Sequence, residues 1–204
     1  KGWDKASLQN PHILYQLSLR LGISYRAAAW SLYRHKILAY EVVENLLKTS
    51  PAFIKRTLLQ SVPMEDATRE VWLLDENDRT SVLEPRPDDL MVVRLKSHAS
   101  AGYLWQPESM GELTSEGFVL APLPASEIDE DKLSFGADTT MDYLVNGGRE
   151  PVDAPTPIHL SESRPWVGKL PSDPTFSSQA HFEPIVDGLS REAKLAHLKE
   201  VSGL

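Results

Sequence analysis

The stretch 97-SHASAGYLWQ-106 decides how the second half of this chain is read. Small residues lead into Gly102, and an aromatic run with Tyr103 and Trp105 follows, of the kind that favours a strand. Further along, 161-SESRPW-166 closes another apparent strand on Trp166. Gly102 permits a backbone conformation closed to residues with a Cβ, and Pro165 stiffens its loop. Trp105 lies two residues past Tyr103, so a strand running through both would turn them to one side. Together these features point to two shaped loops at the ends of two apparent strands.

The neighbouring sequence supplies its strands. From about Arg69 the chain falls into short segments with turn residues between them: "REVWLLD", "DDLMVVRLK", "GYLWQ", "GFVLAPL", "TTMDYLVN" and "PIHLSES". Met91, Val93 and Leu95 alternate onto one face, and Asn146-Gly147-Gly148 is a turn signal. Residues 151–174 hold six prolines and read as an extended, ordered loop around one strand. "HFEPIV" is a candidate late strand, and Ser190 caps a candidate last helix, "REAKLAHLKEV". Ahead of the strands the sequence is helical. Asn10, Ser24 and Ser50 are N-caps, with Pro11 and Pro51 at first helical positions. Leu14, Leu17 and Leu21 are expected inward on the first helix, Ala28, Ala29 and Leu32 on the second, and Ile54 and Leu58 on the fourth. The third is expected over Tyr40–Lys48. The expected fold class is α+β: a helical, helix-turn-helix-like unit over residues 1–65, an antiparallel β-sandwich over 66–188, and a C-terminal helix over 189–204.

Composition narrows the chemistry. The 204 residues contain no Cys, which excludes disulfides, thiolate zinc sites and a cysteine nucleophile. No run of apolar residues is long enough for a membrane span, and a Cys-free chain fits a cytoplasmic setting. The six His are scattered and none belongs to an HExxH sequence, so no helix-borne zinc site is expected in this chain. Neither a Gly-x-Ser-x-Gly elbow nor a P-loop is present. The expectation is therefore a non-enzyme with no cofactor or metal of its own. Charge is uneven: residues 1–62 carry nine Lys/Arg against three Asp/Glu, and the remainder twelve against twenty-six. Two surfaces with different partners, or two differently charged units, both fit this.

The segment 17-LSLRLGISYRAAAWSLYRHKIL-38 has helix-turn-helix form, with Gly22 ending one helix and Ser24 capping the next. Arg26, Trp30 and Arg34 recur one turn apart on the second helix and are candidate phosphate and groove contacts. The alternative is a helix-packing motif with solvated arginines. Leu17, Gly22, Ser24, Ala28, Leu32 and the exit "HKIL" make residues 10–60 resemble the region after the zinc-peptidase core of the ImmA/IrrE family. That resemblance implies a non-catalytic part of a larger zinc metallopeptidase that controls transcriptional regulators. Its zinc-binding HExxH would lie upstream of Lys1.

A second resemblance covers Val71 to about Val167. Gly102, Tyr103 and Trp105 match the "NPTTGYxW" loop of chagasin-type inhibitors of papain-like cysteine peptidases. His98, Ala99, Ser100 and Ala101 stand in place of its Asn, Pro, Thr and Thr. "FGADTTMDYLV" offers Gly136 for the Gly-rich middle loop, with Asp138 where a second Gly is expected. Arg164, Pro165 and Trp166 match the last loop, "RPW". The resemblance implies an immunoglobulin-like sandwich that presents loops 98–102, 135–139 and 164–166 to a protein partner. That partner is a peptidase domain of the same polypeptide, or a peptidase or regulator in trans. Three function classes follow: a regulatory, protein-binding part of an ImmA/IrrE-like protein, a protease inhibitor in trans, and a DNA-binding unit.

Overall fold

The helices begin where polar side chains meet free backbone amides. Asn10 Oδ1 accepts from His12 N at 2.9 Å, Ser24 Oγ from Ala27 N at 3.2 Å and Ser50 Oγ from Phe53 N at 3.2 Å. These caps start α1 (Pro11–Arg20), α2 (Tyr25–Arg34) and α4 (Pro51–Leu59), and α3 (Tyr40–Leu46) lies between the last two. Gly22 ends the first helical turn region with φ 60°. The computed structural model describes residues 2–60, 62–64, 66–79, 82–86, 89–107, 119–123, 139–146, 156–167 and 170–180. The candidate strand "HFEPIV", the candidate last helix and the middle loop with Gly136 and Asp138 lie outside them.

Among the described residues eight strands follow the helices: β1 (Val71–Leu74), β2 (Val82–Leu83), β3 (Leu90–Ser97), β4 (Leu104–Pro107), β5 (Val119–Pro122), β6 (Thr139–Asn146), β7 (Thr156–Ser163) and β8 (Thr175–Ala180). They form two four-stranded sheets, ordered β1-β3-β6-β5 and β2-β8-β7-β4. The sheets are mixed, which corrects the antiparallel expectation. β1 runs parallel to β3 with Val71 opposite Leu90, and β2 runs parallel to β8 with Val82 opposite Gln179. The chain between β1 and β3 contains a short 3-10 turn, Glu76–Asp78, and β2, so it returns by a crossover and not by a hairpin.

Alternation along the strands places the first sheet as a middle layer. Val71, Leu90 and Val92 join the apolar cluster of the helices, with Leu14, Tyr15, Ala28, Ala29, Leu32, Ile54 and Leu58. The opposite face of the same strands, Trp72, Leu74, Met91, Val93, Leu95, Tyr143 and Val145, shares a second cluster with Leu83, Trp105, Ile158, Leu160 and Phe176 of the other sheet. The order of layers is therefore helices, first sheet, second sheet. β3 is buried on both faces, which is why its sequence reads as a nearly continuous apolar run.

α1 corrects the expected apolar stripe. Leu14 is buried and Leu17 half-buried, but Leu21 is exposed, and Tyr15, Gln16 and Ser18 are buried instead. The reason is polar docking on β1. Gln16 donates to Val71 O at 2.9 Å and accepts from Leu73 N at 2.7 Å, while Tyr15 Oη accepts from Val71 N at 3.0 Å. Arg20 closes the same seam: it pairs with Asp78 at 3.0 Å, donates to Leu73 O and lies 5.3 and 5.9 Å from the rings of Trp3 and Trp72.

Candidate functional site

The loop after β3 is held from beneath by a buried carboxylate. Ile158, Leu160 and Glu162 share the inward face of β7, so Glu162 enters the end of the core next to the cross-strand residue Trp105. Its side chain is 1% exposed, and its two oxygens face one residue. Oε1 accepts from His98 N at 2.6 Å, and Oε2 lies 2.7 Å from His98 Nδ1. The chain then makes a single 3-10 turn over Ala99–Ala101 and leaves it through Gly102 at φ 80°, ψ 12°. This left-handed conformation suits a residue without a Cβ.

Trp105 fixes the other end of the loop. It is buried, donates from Nε1 to Lys96 O at 2.7 Å, and its carbonyl accepts from Tyr143 Oη at 3.1 Å. Burial raises the Tyr143 phenol to about 12, with the Glu162 charge acting in the same direction. Tyr103 keeps its ring 6.3 Å from that of His98. It precedes β4, is half-buried, and lies beneath Arg164, whose guanidinium carbon is 4.9 Å from the ring centroid.

The loop after β7 reaches the same place. Arg164, Pro165, Trp166 and Val167 form a turn closed by Val167 N donating to Arg164 O at 3.0 Å. The indole of Trp166 lies against Gly102: a Cβ at that glycine would come within 2.9 Å of Cζ2 and closer still to Cη2. Trp166 is nevertheless 71% exposed, beside Val167, also exposed, while Pro165 is exposed too. The two loops thus brace each other through Gly102–Trp166 and Tyr103–Arg164 and turn a large indole outward.

Of the sequence-derived loop residues, His98, Ala101, Gly102, Tyr103, Arg164, Pro165 and Trp166 meet at this end of the second sheet, with Ser100 in the 3-10 turn. Trp105 belongs to the core beneath it. Sequence reading missed Glu162, the anchor of the loop, because a glutamate in "SESRPW" gives no sign of burial. Only its parity with Ile158 and Leu160 could have shown it.

On the helical side Arg26 and Arg34 are exposed on α2 and Trp30 is half-buried between them, in contact with Tyr33 and Tyr40. Among the described residues no group of three or more His, Asp or Glu side chains is placed to hold a metal ion. No described helix is long and apolar enough to cross a membrane.

No family model matches the chain, and no curated protein matches it. Among solved structures it is similar to a cysteine protease inhibitor of Entamoeba histolytica, at 19% identity over 56% of this chain and 97% of that one, with a TM-score of 0.42. It is similar also to amebosin, at 16% identity over 56% of this chain and 98% of that one, with a TM-score of 0.42.

Proposed function

We propose that this chain is a protein-binding module of the protease-inhibitor type, and that the paired loops His98–Tyr103 and Arg164–Val167 are its contact edge. The observation that carries this reading is the mutual bracing of the loops around an outward Trp166. A loop already held in shape loses little conformational entropy on binding, and a central exposed indole is the kind of side chain that anchors an interface. The nature of the partner, a peptidase, comes from the Gly-Tyr-x-Trp and Arg-Pro-Trp motifs and their resemblance to chagasin-type loops. In this reading residues 66–188 form the sandwich that carries the edge, and residues 1–65 form the helical unit docked on its far side.

The test is titration of a papain-like cysteine peptidase with the protein, followed by the rate of substrate hydrolysis. Stoichiometric or saturable loss of activity supports the reading; full activity in the presence of a large excess removes it. The resemblance of residues 10–60 to a segment that follows a zinc-peptidase core supplies the second partner to try. That partner is an HExxH-bearing domain co-expressed upstream, with complex formation as the readout.

A further inference from the structure

A second surface lies on the helices, away from the paired loops. Trp30 and Tyr33 of α2 and Tyr40 of α3 meet pairwise, with ring centroids 5.8 to 5.9 Å apart. Such a cluster is ordinarily core, yet Tyr33 is 42% exposed and Tyr40 45%, and Ile37, in the connection between the two helices, is exposed as well.

The charges beside this seam are sorted by helix. Arg26 and Arg34 lie one turn either side of Trp30 on α2, exposed, and Lys36 follows, also exposed. On α3, Glu41 and Glu44 are exposed, and Glu44 Oε1 accepts from Tyr40 Oη at 2.7 Å. His35 and Lys48 are the other exposed titratable groups at the ends of the two helices. An aromatic seam therefore runs between a basic rim and an acidic rim. A polyanion laid across Arg26, Trp30 and Arg34 would meet the two carboxylates of α3, which argues against a phosphate backbone as the natural occupant. A two-fold rotation about the seam, in contrast, sets the basic rim of each copy on the acidic rim of the other and stacks the aromatic seams together.

We propose that this face binds a second copy of the chain, through an isologous contact of α2 and α3 in which Arg34 of each copy faces Glu41 of the other. The face spans two short helices, of 10 and 7 residues, so the dimer is a weak one and is sought at high concentration.

The test is sedimentation equilibrium of the full chain at concentrations up to about 1 mM, where weak association becomes populated. The mass is expected to rise toward that of a dimer. Arg34→Glu and Glu41→Arg alter exposed side chains, so each variant should keep the parent circular dichroism spectrum. Each is expected to raise the dissociation constant at least about tenfold, because it puts like charges together across the contact. Mixing the two single variants, or combining both substitutions in one chain, is expected to restore association. A monomer at every concentration overturns the proposal, as does association that ignores both substitutions or is not restored by the swap. A monomer that instead takes up single-stranded oligothymidylate or polyglutamate, and loses it on Arg34→Glu, also overturns it and assigns the face to a polyanion or an acidic peptide.

Discussion

Trp166 lays its indole against Gly102, and only the absence of a Cβ at position 102 leaves room for it. The same glycine turns the chain out of the 3-10 turn with φ 80°. One residue therefore serves the shape of both loops. Gly102→Ala is expected to cost about 1–3 kcal/mol, from the left-handed backbone and the displaced indole together. Chemical denaturation measures it, and a variant as stable as the parent would show that the contact is not there.

Glu162 and His98 form the second brace. His98→Ala takes one of two contacts from a carboxylate whose side chain is 1% exposed. The expected loss is about 1–3 kcal/mol of stability, the cost of leaving a buried polar atom short of a partner. Urea unfolding followed by tryptophan fluorescence reads it, and a change within noise would count against the arrangement.

Alkaline pH should weaken the fold in a defined window. Burial raises Tyr25 and Tyr143 to about 12 from the ordinary 10, with Glu162 adding to the effect at Tyr143. Unfolded tyrosines lose their protons first, so the stabilisation is complete below pH 10 and is lost as pH rises toward about 12. Tyr25→Phe and Tyr143→Phe should each flatten the fall in stability over this window. A parent whose stability is level from pH 10 to 12 would contradict the burial of both phenols.

The helices and the first sheet should unfold together. Arg20 pairs with Asp78, whose side chain is 2% exposed, and bonds to Leu73 O at the seam between α1 and β1. Arg20→Met removes this ion pair from a buried carboxylate and is expected to cost about 3–5 kcal/mol. Calorimetry should show one lowered transition; a loss confined to the helices, with the sheets melting as before, would contradict the shared layer.

The capped helices were legible because a Ser or Asn cap and a following apolar period are local signals. β6 and β7 were legible for the same reason, as runs bounded by turns and prolines. β8 was not: "TFSSQA" places Phe176, Ser178 and Ala180 inward, and a strand whose buried face is mostly small or polar has no apolar period to read. The parallel pairings of β1 with β3 and β2 with β8 were hidden as well, since strand order is set by which faces bury together and not by the strands themselves. At the candidate site Gly102, Tyr103, Arg164 and Trp166 were found by motif. Their pairing across two loops, and the part of Glu162 beneath them, needed the fold.

The proposed binding of a peptidase at the edge around Trp166 is read most sharply from the inhibition constant of Trp166→Ala set against that of the parent. Trp166 is 71% exposed and lies in neither apolar cluster, so its loss is felt in the loops and the variant should melt close to the parent. Its inhibition constant should rise about 30-fold or more, the factor that corresponds to a hot spot of about 2 kcal/mol. An unchanged constant in a folded variant would show that Trp166 is not part of a binding edge.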